Sequence, residues 1–327
     1  MAKYKKYSDE AKNLLKKTAS SDRTVASQHM QALAAEVAPV LKKAVFDEDT
    51  LGDIFSRIDV SGGGDVKFPL DIIAPGTEDD FVAFTMPKQG RVPERHVEGD
   101  ELYVQTYKIA NAIDWDLDFA KDARWDIVER ALEVFKAGFT KRINDDGWHV
   151  LLASSNSAGF QLQGAGVGSH FDPTLIYRMK TTQRRRTRNG DMTDLFISPE
   201  AMEDIRNWST ADVSDITRHQ LFMAADDPSL ARINGVNLRE LRELGVNQEY
   251  QTYFTQTLGG TITPPADELV VGLDLSKRDS FIMPVRTALE LFETGEQLHR
   301  QGRAGFYGWM RLGVAAVDNR RAILGSF

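Results

Sequence analysis

The sequence predicts an α+β fold, and three stretches carry that reading. Residues 116–152 hold the apolar rhythm of one long helix. Residues 61–113 hold three β-rich pieces set between loops rich in glycine and proline. After the long helix, strand-like and helix-like stretches alternate to the last residue.

Residues 1–50 read as helical and start basic, with Lys3, Lys5, Lys6, Lys12, Lys16 and Lys17. A helix is expected over 22–46, with Val25, His29, Leu33, Val37, Val40 and Leu41 on one side and Pro39 bending or interrupting it. Its narrow apolar stripe needs a cover. The segment is either an exposed terminal arm or one that docks on a neighbouring subunit, and the sequence leaves both open.

SGGGDVKFPLDII, EDDFVAFTM and DELYVQTYKIANAI are the β-rich pieces, separated by APGT and PKQGRVPERHVEGD. Around Phe81 to Met86 neither face is cleanly polar, so a long twisted hairpin is expected. A lone hairpin is marginal in water, so it should lie against its own chain or a partner.

In the helix, Val128, Ala131, Leu132, Phe135, Phe139 and Ile143 recur at i, i+3, i+4, i+7. Glu129, Arg130, Glu133, Lys136, Lys141 and Arg142 fill the other side. Only Gly138 weakens the run, by about 1 kcal/mol relative to alanine. Asp116, Asp118 and Asp122 suit its positive N-terminal end. At 1.5 Å per residue the rod is roughly 45 Å long, enough to act as a scaffold.

Residues 153–174 form a polar, glycine-rich connection. A helix from Leu175 with Gly190 as its stop follows, then a buried strand in DLFISPEAMEDIRNW with Ser198 as N-cap, Pro199 in the first turn and Glu200 near it. Residues 209–260 read as mixed, mostly helical or irregular. Two strands are expected around a turn near Lys277 and Arg278. The end reads as an extended hairpin whose second strand ends the chain.

The 327 residues suffice for two or three lobes. With no cysteine, disulfides and thiolate metal sites are excluded. No apolar run approaches the roughly 18 residues of a membrane span, and the N-terminus lacks the apolar core of a secretory signal. A net charge of −8 argues against wholesale nucleic-acid binding. No repeat is visible.

The order of these parts resembles the major capsid protein of tailed bacteriophages, the Hong Kong 97-type fold, over nearly the whole chain. The resemblance implies a helical N-terminal arm at 1–59, an extended loop (β-hairpin) at 60–110, a peripheral domain with the spine helix at 111–175, an axial (apical) α/β domain at 176–275 and closing strands of the peripheral domain at 276–327. GFYGWMRLGVAAVDNRRAI looks like those closing strands, and DLFISPEAMEDIRNW like the strand and helix of the central lobe. It further implies a virion structural protein, not an enzyme, that assembles into pentamers and hexamers of an icosahedral head. Its partners would be itself, portal, scaffolding and decoration proteins, and packaged double-stranded DNA held without sequence readout. Assembly would take place in the host bacterial cytoplasm, without cofactor, metal or membrane. Contacts between subunits are expected from Lys67, Phe68, Phe81, Phe84, Lys88, Arg91, Arg95, Arg184, Arg185 and Arg186, and the spine core from Val128, Leu132, Phe135, Phe139 and Ile143. An encapsulin-type nanocompartment is the near alternative. Residues 1–50 are expected to remain on the chain.

Other chemistry is thinly supported. GAGVG at 164–168 follows a helix and lacks full dinucleotide spacing, so a turn is expected there; an α/β enzyme using this loop is the alternative from another class. Arg184, Arg185, Arg186 and Arg188 form the densest cationic cluster, but only Tyr177 stands near as a base reader. They read as a solvated helix end or partners for an acidic neighbour. The six histidines never take zinc-ligand spacing. Asp79–Asp80, Asp145–Asp146 and Asp226–Asp227 are adjacent pairs expected in turns. Some relatives by resemblance weld subunits through a lysine–asparagine bond; Lys67, Lys88 and Asn319 are the residue types for it, without a confirming glutamate.

Overall fold

The computed structural model describes residues 9–18, 23–47, 50–62, 66–70, 100–118, 125–157, 161–163, 170–187, 190–208, 232–262, 268–293 and 301–327. The chain forms two compact units. One comprises Met1–Val66, Val104–Asp146 and Met283–Val314, the other Lys67–Tyr103, Gly147–Ile282 and Ala315–Phe327.

In the first unit, α1 (Asp9–Thr18) packs along α2 (Arg23–Asp47). The buried side of α2 is Ala26, Met30, Leu33, Ala34, Val37, Leu41 and Val45, whereas Val25 and Val40 are exposed. The face is thus turned by about one residue from the expected one, because the small Ala26 and Ala34 permit close packing where bulk alone had pointed to valine. Pro39 does not interrupt α2. Ala35, whose carbonyl loses its i+4 donor to the proline ring, is exposed as Pro39 is, so water can serve that carbonyl.

The sheet of this unit runs β1 (Ser56–Asp59), β10 (Phe281–Glu293, from Met283 on), β11 (Arg303–Leu312) and β4 (Tyr107–Asp116). Ile109 and Trp115 of β4 and Ala304, Phe306, Met310 and Leu312 of β11 are buried, alternating with exposed Lys108, Tyr307 and Arg311. The long helix α3 (Trp125–Ser157, 33 residues) contributes its residues up to Asp146 here. Val128, Leu132, Phe135, Phe139 and Ile143 are all buried, each burial stabilising by about 1.5–3 kcal/mol. Phe135 meets Phe139 edge-on at 5.0 Å, and Trp115 meets Phe306 at 5.2 Å. Asn111 of β4 donates to the Phe135 carbonyl at 3.3 Å. Gly138, expected as a weak point, lets this approach happen: a Cβ there would stand 2.8 Å from the Asn111 amide nitrogen. Asp116 ends β4 rather than opening the helix.

The second unit holds a six-stranded mixed sheet in the order β5 (Gln161–Gln163), β13 (Ala322–Ser326), β9 (Leu269–Leu273), β6 (Asp194–Ile197), β8 (Val236–Glu240), β7 (Arg232–Ile233). Helices α4 (Pro173–Arg186) and α5 (Pro199–Asn207) cover one face, with Leu175, Ile176, Met179, Ala201 and Ile205 packed on Leu195, Ile197, Val270 and Ile323. On Phe196, whose neighbours in β6 point the other way, Trp148 of α3 packs at 4.8 Å. Tyr250 of the short α6 (Glu249–Thr252) stacks on that tryptophan. A two-stranded ribbon, β2 (Lys67–Leu70) with β3 (Asp100–Tyr103), and the short β12 (Ala315–Ala316) on the first residues of β10 complete the unit.

Several expectations are corrected. The two strands expected around Lys277 are present as β9 and β10, although they lie in different sheets. The closing hairpin is β10 with β11, while the chain's last strand, β13, inserts between β5 and β9. DELYVQTYKIANAI is two strands, and only its first part pairs with β2. Within 209–260, β7 and β8 form a tight hairpin through Asn234 and Gly235, both at positive φ (50° and 81°). Helix α4 stops at Arg186 through an extended Thr187. Gly190 instead allows the chain to pass close against the Asp274 and Thr187 side chains.

Candidate assembly surfaces

Among the described residues, the outward side of β4, β10 and β11 carries a cluster of exposed aromatic side chains. Phe292 and Tyr307 are 36% and 37% exposed and stack at 5.4 Å; Trp309 meets Phe292 edge-on at 5.2 Å. Register places them together, since Phe292 pairs with Tyr307 and Trp309 lies two residues on. The Lys108 ammonium sits 2.9 Å from the Trp309 ring centre, and the indole N–H donates to Glu290 at 2.7 Å. Arg303 pairs with Asp114 at 3.1 Å beside them. An aromatic centre with a charged rim is the make-up of a protein-binding surface. In the sequence its members lie in GFYGWMRL and ELFE; alternation marks them as one face, but only the β10–β11 register joins them.

Of the residues expected at contacts between subunits, Lys67 and Phe68 lie in β2, where Lys67 pairs with Glu101 at 3.2 Å and Phe68 is half-buried. Phe81, Phe84, Lys88, Arg91 and Arg95 lie outside the described residues. The arginines do not act as one cluster. Arg184 grips Asp191 through two bonds of 3.0 and 2.7 Å, and Arg185 is exposed. Burial weighs against the Asp191 charge, but the Arg184 hydrogen bond with the Lys180 and Arg184 charges outweighs it and holds the carboxyl below its usual range. Arg186 is turned inward, 8% exposed, donating to the Ala322 carbonyl at 3.4 Å; it is no surface contact. Burial pushes its guanidinium down to about 10. Arg188 lies outside the described residues.

Arg186 is part of a polar seam that sequence reasoning missed. Gln183 donates to the Arg321 carbonyl at 2.7 Å, and Arg321 donates to Asp274 at 2.5 Å and to Ser276 at 3.0 Å. Asp318 accepts from Arg320 at 2.9 Å and lies 3.4 Å from Arg321. Burial opposes the Asp318 charge, yet the arginine bonds and charges keep its carboxyl below the ordinary value. The seam ties the end of α4 to the start of β13. Asn319, the candidate for a covalent link, is exposed beside it.

The Ser198 hydroxyl accepts from the Ala201 N–H at 3.0 Å, the expected N-cap, and donates to the buried Glu268 carboxylate. Asp145 and Asp146 lie in α3, not in a turn, paired with Lys141 and Arg142 at i,i+4. Asp146 also accepts from the Tyr107 hydroxyl at 2.8 Å; burial first, then that carboxylate, raises the phenol well above its ordinary value. His149 stacks on Tyr253 at 3.7 Å, and His170 contacts Asp204 at 3.2 Å. Among the described residues no three metal-ligating side chains converge. The 164–168 glycine loop and the Asp79–Asp80 and Asp226–Asp227 pairs lie outside the described residues.

No protein-family model and no curated protein matches the sequence. Solved structures do match. The capsid of an empty GTA particle aligns with a TM-score of 0.58 at 11% identity, over 85% of this chain and 89% of that one. The Cyanophage Pam1 capsid aligns at 0.56 and 11% identity, over 84% and 88%. The capsid of Myoviridae Phage XM1 aligns at 0.53 and 11%, over 85% and 90%. Most of each chain takes part, so the protein has the Hong Kong 97-type fold of these capsid chains.

Proposed function

We propose that the chain is a major capsid protein of a tailed bacteriophage, assembling into the pentamers and hexamers of an icosahedral head. The observation that carries this reading is the match over most of both chains, 85% of this chain on 90% of the phage XM1 capsid chain. A likeness that consumes both chains leaves little room for a separate catalytic domain. The aromatic face of Phe292, Tyr307 and Trp309 supports it, because exposed aromatics in a charged rim favour association. In this role the protein works through contacts with copies of itself, in the virion, around double-stranded DNA held without base readout, with portal, scaffolding and decoration proteins as further partners. Electron microscopy of the expressed chain tests the reading. Closed hollow particles are expected; a small soluble oligomer under all assembly conditions overturns it, and particles filled with an enzyme cargo would assign the fold to a nanocompartment instead.

A further inference from the structure

We propose that β4 pairs edge to edge with β4 of a second copy, joining two five-stranded sheets across a two-fold axis at Ala112. Strand β4 ends its sheet and is ten residues long, whereas among the described residues the edges β1, β2 and β3 have four residues each and β5 and β7 three and two. Short edges are one way proteins avoid unwanted pairing; β4 is the exception.

The alternation of its backbone follows from one bond. The Leu117 N–H donates to the Gly302 carbonyl at 2.9 Å, in register with the Asp116–Arg303 pair. Odd-numbered residues of β4 therefore bond to β11, and Lys108, Ala110, Ala112, Asp114 and Asp116 turn N–H and C=O outward. Ala112 agrees in that its N–H does not bond to β11: it meets the Asn111 side-chain oxygen at 2.9 Å, a local bond that pairing with the second copy would replace. Among the described residues no other chain segment pairs with this edge.

The edge is complementary to itself. Two antiparallel copies centred on Ala112 put Lys108 opposite the second copy's Asp116, Ala110 opposite Asp114, and Ala112 opposite Ala112. Shifting the centre by one residue would bring Lys108 to Asp114, which Arg303 already holds at 3.1 Å, so Asp116 is the better partner. All five side chains are exposed, and the two alanines at the centre leave room for the facing strand. Lys108, lying over Trp309, keeps N–H donors for the carboxylate.

The helix above supplies a second contact. Gly138 abuts Asn111 of β4, so the exposed Val134, Ala137 and Gly138 lie on the edge-strand side of α3. Val134 is 60% exposed. Pairing of the edges would bring two α3 helices side by side, and small residues suit the interaxial distances of about 8–10 Å found between packed helices.

The inference rests on the shell reading only for the premise that copies meet. The sequence has no cysteine, so single cysteines report the register directly. Facing Ala112 residues would have Cα atoms about 5.5 Å apart, within the span of a disulfide. Two Ala110 residues would be offset by four positions, about 13 Å along the strands. Mild oxidation of Ala112→Cys is expected to give a reducible dimer at twice the 36.6 kDa of the chain, and Ala110→Cys is expected to give none. Lys108→Asp in the Ala112→Cys background should lose the dimer, and adding Asp116→Lys should restore it. Equal cross-linking of both cysteines, or none from Ala112→Cys in soluble and assembled protein alike, overturns the pairing. Particles without this dimer would keep the shell reading, and the dimer without particles would keep the pairing and remove the shell.

Discussion

Gly308 sits where a side chain has no room: a Cβ would stand 2.9 Å from both the Glu290 carbonyl and the Phe135 ring. Gly308→Ala should cost about 1–3 kcal/mol through overpacking, read as a lower urea midpoint with an unchanged slope. Asp274, fully buried, depends on Arg321. Arg321→Ala leaves that carboxylate uncompensated and should cost about 3–5 kcal/mol. Neither residue stood out in the sequence, since nothing local marks a glycine facing an aromatic ring or an arginine turned inward. Arg186 is the plainest case: within Arg184, Arg185 and Arg186 the three side chains are chemically alike, and helix rotation alone sends one into the interior. Asn234–Gly235 was legible and went unread, because an Asn-Gly pair between short β-prone segments is a strong hairpin signal.

Where an element is organised by its own periodicity, the sequence spelled it out. The stripe Val128, Leu132, Phe135, Phe139 and Ile143 is buried as its spacing required. Ser198 and Pro199 start α5 as expected. Ser198→Ala removes the cap at a cost of about 1 kcal/mol and also removes the hydroxyl bond to the buried Glu268 carboxylate, so thermal unfolding should shift down by more than a cap alone would cause. Restoring a hydroxyl with Ser198→Thr should recover most of the loss; no recovery would mean that the hydroxyl is not what matters. Edges and pairings escaped the same treatment. Alternation announces a strand but not its neighbour, so β3 and β4 read as one piece, and nothing in β9 or β10 told which sheet each would join.

For the molecule as a whole, the order of elements was enough to bring the capsid fold into view, although identity to the matched chains is only 11%. Its response to acid follows from carboxylates held below their usual range, Asp191 and Asp318. A depressed carboxyl contributes fully above the unfolded value of about 3.9 and loses that contribution as pH falls through its lower folded value. The urea midpoint should therefore drop below about pH 4, and Asp318→Asn should flatten that drop; an unchanged profile in the variant would remove Asp318 from the account. Strand β13 has a further consequence. It lies between β5 and β9, so residues 322–326 fill the interior of a sheet whose other strands were all translated earlier. Until residue 326 has emerged from the ribosome, β5 and β9 share no neighbour, and pairings this distant along the chain form slowly. A nascent polypeptide therefore cannot close this sheet before residues 322–326 are available to it, however long β5 and β9 have been exposed.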